Sequence, residues 1–158
     1  MPMMYSTIQK RFDMKIKGIL MKADEPTING NIYPKKVLEK AIEEYRGIVE
    51  SRRAFGTLGY SESFVISLSD VSHIVTKVDL ESENMMVEIE VLDTKKGEEL
   101  MELIRAGEKF HFGLKGFGSI DENRVVGIDY TFSSICVDID PQGYVDKTQF
   151  LEVIDEGE

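Results

Sequence analysis

Only one cysteine, Cys136, is present in the chain of 158 residues, so no disulfide can form within it. That excludes the small secreted scaffolds that depend on disulfides and makes a reducing compartment the natural one. Cys136 lies in the apolar run SSICVDI with aspartates close by. This is the setting of a small buried hydrophobe, whereas a reactive thiol needs electropositive, accessible surroundings. Basic residues are also scarce: 19 Lys and Arg stand against 29 Asp and Glu, for a formal charge of −10. A duplex-binding protein needs a basic face to displace counterions. The densest basic pairs here, Arg52-Arg53 and Lys35-Lys36, have acids nearby. Nucleic acid is therefore not an expected partner, and an acidic surface favours solubility and basic partners. Histidine occurs only twice, with no cysteine cluster and no ligand spacing, so no zinc site, no other metal and no cofactor is expected. Long apolar runs are missing: no stretch approaches the roughly 18 apolar residues of a spanning helix. The opening MPMMYSTIQKRF lacks the apolar core of a signal peptide. No membrane association is expected.

What remains is the length of one domain and an ordinary apolar fraction of 42%, enough for a real core. Residues 1–11 read as an arm, 12–144 as the domain and 145–158 as an acidic tail, mobile or docked on another chain. FDMKIKGILMKA, 12–23, alternates as a strand. DEPTINGNIY, 24–33, is a turn in which Asn29, Gly30 and Asn31 offer left-handed positions. PKKVLEKAIEEYRGIV, 34–49, sets Val37, Leu38, Ala41, Ile42 and Tyr45 on one helical face. Pro34 suits its first turn and Gly47 is expected to weaken or end it. AFGTLGY, 54–60, is short and glycine-punctuated. FVISLSDVSHIVTKVDL, 64–80, is a strand bent near Asp70, and SENM turns it into MMVEIEVLDT, 85–94, which alternates apolar and acidic residues. KGEELMELIRAG, 96–107, is a short helix between Gly97 and Gly107. KFHFGLKGFGSI, 109–120, and RVVGIDYTFSSICVDID, 124–140, read as strands, with Gly127 a candidate bulge. With no repeating strand-helix unit, a doubly wound parallel sheet is excluded. The expected fold is α/β in the α+β sense: a small, mostly antiparallel β-barrel or curled sheet flanked by helices.

The candidate chemistry is sparse. Ser72 and His73 are neighbours in VSHIV, but successive strand residues point to opposite faces, so their side chains are not expected to meet. His73 reads as a histidine hydrogen-bonded within its sheet. His111, in KFHFGLKGFG, alternates with Phe110 and Phe112 and reads as structural or as a surface group. Gly113, Gly116 and Gly118 lack the spacing and the terminal Lys-Ser/Thr pair of a phosphate loop. They read as backbone passing close to another group, with Lys115 between them able to hold an anion or carboxylate. Asp70, Asp79, Asp93, Asp138 and Asp140 are candidate acids, the last two on one strand face, although a solvated edge is the plainer account.

Five stretches taken in order, NGNIYPKKVLEKAI (29–42), GTLGYSES (56–63), ISLSDVSHIVTKV (66–78), VLDTKKGEELMELIRAGEKFHFGLKGFG (91–118) and ICVDIDP (135–141), resemble the prohead maturation proteases of large tailed bacteriophages. These are relatives of the herpesvirus assemblins. The resemblance implies a serine protease fold acting inside the immature capsid. In such an enzyme a histidine base activates a serine and backbone amides hold the oxyanion. It also implies where this sequence departs. The first motif of the family reads Gly-Glu-Leu-x-His-Pro; in GTLGYSES, Tyr60 stands at the histidine and Ser61 at the proline. The later motif reads Gly-x-Ser-Ser-Arg-Gly-x-Gly. In HFGLKGFG, His111 stands at the first glycine, Gly113 and Leu114 at the two serines and Lys115 at the arginine, while Gly116 and Gly118 match. Tyrosine, with a free pKa near 10, is a poor base at neutral pH, and neither Gly113 nor Leu114 has a nucleophilic atom.

The first expectation is thus a non-catalytic relative that binds capsid or scaffold proteins as a structural, cement or assembly factor, with self-association a further expectation. It would occupy the host cytoplasm during assembly, then the prohead or virion capsid. The second is an active protease with a rearranged site drawn from His73, His111, Ser72 and Ser119. The third is a generic acidic binding module. The resemblance also predicts that Tyr60 lies near residues 113–115, whose motif would form a turn.

Overall fold

A computed structural model describes residues 14–59 and 65–138, together with the strand Glu152–Asp155. The elements, in order, are β1 (Lys15–Lys22), α1 (Lys35–Glu50), β2 (Phe55–Thr57), a single 3-10 turn (Leu68–Asp70), β3 (Val71–Glu81), β4 (Asn84–Val91), α2 (Lys95–Arg105), β5 (His111–Phe117), β6 (Thr131–Asp138) and β7 (Glu152–Asp155). Every strand ladder is antiparallel. Five strands form one sheet in the order β2-β3-β4-β1-β7, and β5 and β6 form a second sheet of two.

This corrects the expected barrel or curled sheet. The fold is α+β with two separate antiparallel sheets and helices, and among the described residues no ladder closes either sheet on itself. The reason lies at the sheet edges. β2 has only three residues, and beyond it a single parallel bridge, Leu58 to Val137, reaches β6. At the opposite edge β7, from the segment assigned to the tail, runs along β1 in the same chain.

Local chemistry explains most elements. β4 alternates as its sequence does, burying Met85, Val87, Ile89 and Val91 and leaving Glu88 and Glu90 half-buried on the other face. In β1 the alternation breaks where Leu20 and Met21 are both buried, and the pairing with β4 shifts between Ile19 and Met21. A bulge there switches the face that follows it. Ser82 takes φ 60° in the two-residue turn that joins β3 to β4. α1 buries Val37, Leu38, Ala41, Ile42 and Tyr45, and Lys40 and Glu44 pair at 3.2 Å. Gly47 does not end it; the helix runs on to Glu50 because Ile48 and Val49 still pack on the core. Gly97 lies inside the first turn of α2 and not before it. A Cβ there would sit 1.9 Å from the Leu92 carbonyl oxygen, so only glycine lets the helix begin this close to the end of β4. Gly127 sits in the loop before β6, where its N–H bonds to the Ser119 carbonyl, and is not a strand bulge.

One core joins the parts. Leu38, Ile42 and Tyr45 of α1 meet Ile16 and Ile89 of the large sheet and Phe112, Leu114, Phe132 and Ile135 of the small one. The Tyr45 and Phe132 rings lie 4.6 Å apart, and Tyr33 meets Tyr130 edge-on at 5.2 Å.

Candidate functional site

The motifs singled out in the sequence converge on β6. β5 pairs with it residue by residue, Phe112 to Val137, Gly113 to Cys136, Leu114 to Ile135 and Lys115 to Ser134. From the other side the end of β2 arrives: the Gly59 N–H donates to the Val137 carbonyl at 2.6 Å. Tyr60 itself lies outside the described residues, as do Ser61 and Asp140. The segment that leads into Tyr60 is therefore placed at β6, opposite the strand that carries Gly113 and Leu114. Residues 113–115 are strand and not the turn expected of them.

His73 bridges the two sheets. Its Nε2 lies 2.9 Å from the Ile135 carbonyl oxygen, and its Nδ1 lies 2.7 Å from Ser72 Oγ. A carbonyl can only accept, so Nε2 carries the proton, and the unprotonated Nδ1 accepts from the Ser72 hydroxyl. One expectation is corrected here: the Ser72 and His73 side chains do meet. His73 is hydrogen-bonded within its own sheet, to Ser72, and also across to the other one. Both are fully buried. Burial lowers the His73 pKa to about 4, against which the Ile135 hydrogen bond acts only partly, so the ring is neutral near pH 7. The direction of the Ser72-to-His73 bond is that of a serine and its base, but a peptide carbonyl has no open path to either atom.

Gly56 makes this bridge geometrically possible. It stands opposite His73 in the β2–β3 ladder, and a Cβ on it would fall 2.1 Å from His73 Nε2 and 2.2 Å from the Ile135 oxygen. The sequence carried a signal that went unused: a glycine inside a short strand often marks close approach of another group. Nothing in the sequence singled out Ile135.

The remaining candidates separate. Gly113 and Leu114 are buried, Leu114 completely. A Cβ on Gly113 would lie 2.9 Å from Cys136 Sγ. Cys136 is free and buried, its pKa pushed up to about 12, first by desolvation and then by the charge of Asp138. His111 begins β5, half-buried, opposite Asp138. Ser119 lies beyond the end of β5, where its hydroxyl donates to Asp129 Oδ1 at 2.8 Å. These two bonds from Ser119, side chain and backbone, hold the Asp129 pKa below its usual value. Gly116 and Gly118 are close-approach glycines: a Cβ on Gly116 would lie 2.4 Å from the Tyr130 hydroxyl oxygen, and one on Gly118 2.6 Å from the Tyr130 Cα. Lys115 is half-exposed on β5, and its carbonyl accepts from Ser133 Oγ at 3.3 Å. Among the described residues no three His, Cys, Asp or Glu side chains gather to hold a metal ion. No described helix is long and apolar enough to cross a membrane.

This architecture, two antiparallel sheets with helices, is shared with the bacteriophage T4 capsid assembly protease, gp21, at a TM-score of 0.75 and 24% identity over 80% of this chain and 82% of that one. The sequence pattern of the prohead core protein serine proteases matches residues 5–140, and the chain belongs to that family. Among curated proteins no match is found.

Proposed function

We propose that this chain is a non-catalytic member of its family, a head-assembly factor that binds capsid or scaffold proteins without cutting them. One observation supports the reading: Gly113 and Leu114, which the resemblance sets at the family's two serines, are both buried in β5, and neither has a nucleophilic atom. Loss of the side chain is coupled to loss of the space. Leu114 occupies the core, and Gly113 faces Cys136 too closely for a Cβ without a shift. Such a protein would be found in the host cytoplasm during assembly, and then in the prohead or capsid. Incubating the purified chain with proheads of the phage that encodes it tests this. The expected result is co-sedimentation with intact scaffold and capsid proteins. Cleavage that disappears in His73→Ala or His111→Ala would overturn it.

A second reading, proteolysis from a shifted site, is supported by the 2.7 Å approach of Ser72 Oγ to His73 Nδ1. Membership of a family of serine proteases leans toward it as well. It requires β2 or β6 to move aside and uncover the pair. Labelling of Ser72 by a fluorophosphonate, absent in Ser72→Ala, would establish it.

A further inference from the structure

Charges across β3, β4, β1 and β7 of the large sheet follow a lateral pattern. In one row, Lys77 of β3 pairs with Glu88 of β4, which pairs with Lys17 of β1, which pairs with Glu152 of β7. In the next, Glu90 of β4 pairs with Lys15 of β1, which pairs with Asp155 of β7, and Arg52 closes the inner end on Glu90 at 3.5 Å. Directly opposed positions of unlike charge attract and like charges repel, so the edge of β1 selects what pairs with it. Ile16 lies between the two lysines and is wholly buried, and its partner is Val153. A strand that fits this edge therefore presents acid, apolar residue and acid in succession. β7 meets the rule by taking up its extra residue at the register shift between Lys15 and Ile16. Its hold is short: only Lys15, Ile16 and Lys17 of the eight residues of β1 pair with it.

We infer that the β1 edge is an acceptor for an extended acidic-apolar segment of another protein, and that β7 is a plug which that segment displaces. Main-chain pairing supplies the adhesion and the lysine rows supply the choice, as in strand addition to an exposed sheet edge. This rests on the binding role proposed above and names its surface and its ligand chemistry. Because β7 is tethered, an incoming strand competes with a high effective concentration of plug.

The probe is a labelled peptide with the sequence of residues 149–158, QFLEVIDEGE. Full-length protein carrying Val153→Pro, which puts a residue that disfavours strand pairing in the middle of the plug, should bind it about tenfold more tightly than the unsubstituted chain. A peptide with lysine at the positions of Glu152 and Asp155 should bind about tenfold more weakly. In the Val153→Pro background, Lys15→Glu with Lys17→Glu should reverse that preference. Lys15→Gln with Lys17→Gln should abolish it while changing fewer charges. Absence of peptide binding to the Val153→Pro chain, or binding indifferent to the peptide's charge, overturns the inference. So does dimerisation by exchange of C-terminal strands in place of peptide binding, seen by light scattering. Prohead co-sedimentation of the same variants separates the two claims. If it survives Lys15→Gln with Lys17→Gln, the edge is overturned and the assembly role stands. If the unsubstituted chain never co-sediments, the assembly role falls and the peptide result alone judges the edge.

Discussion

His73 has both ring nitrogens engaged and no exposed surface, so protonating it in the folded state means charging a buried ring and breaking the bond from Ser72. Its folded pKa is about 4, against 6.5 when free. The unfolded chain therefore binds more protons between those values, and stability rises with pH across that window. The contribution is complete above pH 6.5 and is lost as pH falls toward 4. It amounts to about 3 kcal/mol on full passage through the window. Urea unfolding of the native chain and of His73→Gln at a series of pH values checks this. The variant's midpoint should fall less steeply than the native chain's between pH 6.5 and 4; parallel curves would refute it. Gly113 and Leu114, which the resemblance sets at the family's serines, make a second residue-scale test. Leu114→Ser removes a fully buried side chain and should cost about 3–5 kcal/mol. Gly113→Ser forces a Cβ against Cys136 and should cost about 1–3 kcal/mol. Combined with Tyr60→His, neither should restore cleavage of prohead proteins, because a new hydroxyl would enter a packed interior and not a substrate groove. Cleavage by either double variant would show that the groove persists.

At the scale of elements, periodicity was informative where a segment answers to its own sequence. The α1 face from Val37 to Tyr45 and the alternation of β4 follow from side-chain pattern alone. So does the stop at Gly107, whose φ of 91° favours glycine. Pairing between distant segments left no such trace. That β2 would meet β6 through one bridge, that 152–155 would return to β1, and that a glycine in β2 would admit His73 are facts about partners, and alternation is silent about partners. The candidate site shows the same division. The resemblance singles out Gly113 and Leu114 and the Ser72-His73 neighbour pair singles out His73, while the approach of Leu114 and His73 to Ile135 needed the fold. α2 illustrates a boundary that chemistry decides. Thr94 caps it, accepting from the Gly97 N–H at 2.9 Å and donating to the Val71 carbonyl. One hydroxyl thus ties the helix start to the start of β3. Thr94→Ala should cost about 1–2 kcal/mol, and Thr94→Ser should recover most of it in thermal unfolding. Equal losses in the two variants would mean that the methyl group, and not the hydroxyl, holds the junction.

For the whole molecule the question is how two sheets act as one body when, among the described residues, no ladder joins them. Among the described residues, the direct polar ties at the site are the Leu58–Val137 bridge, made by the Gly59–Val137 hydrogen bond, and the His73–Ile135 bond; apolar contact around α1 surrounds them. Apolar contact tolerates sliding, whereas a hydrogen bond from a buried ring fixes one relative placement. If that is the office of His73, removing it should loosen the small sheet more than the large one. In native-state hydrogen exchange of the unsubstituted chain, the slowest amides of β4 and β6 should open with the same free energy, as one cooperative unit. In His73→Ala, amides of β6 from Ile135 to Val137 should lose about 1–2 kcal/mol more protection than those of β4. Gly56→Ala should give the same signature by a different route, since its methyl group would displace the ring from Ile135. Agreement of the two variants would place the coupling in the bond itself. Equal loss of protection in β4 and β6 would mean instead that the apolar core alone makes the sheets cooperative and that His73 only fills space between them.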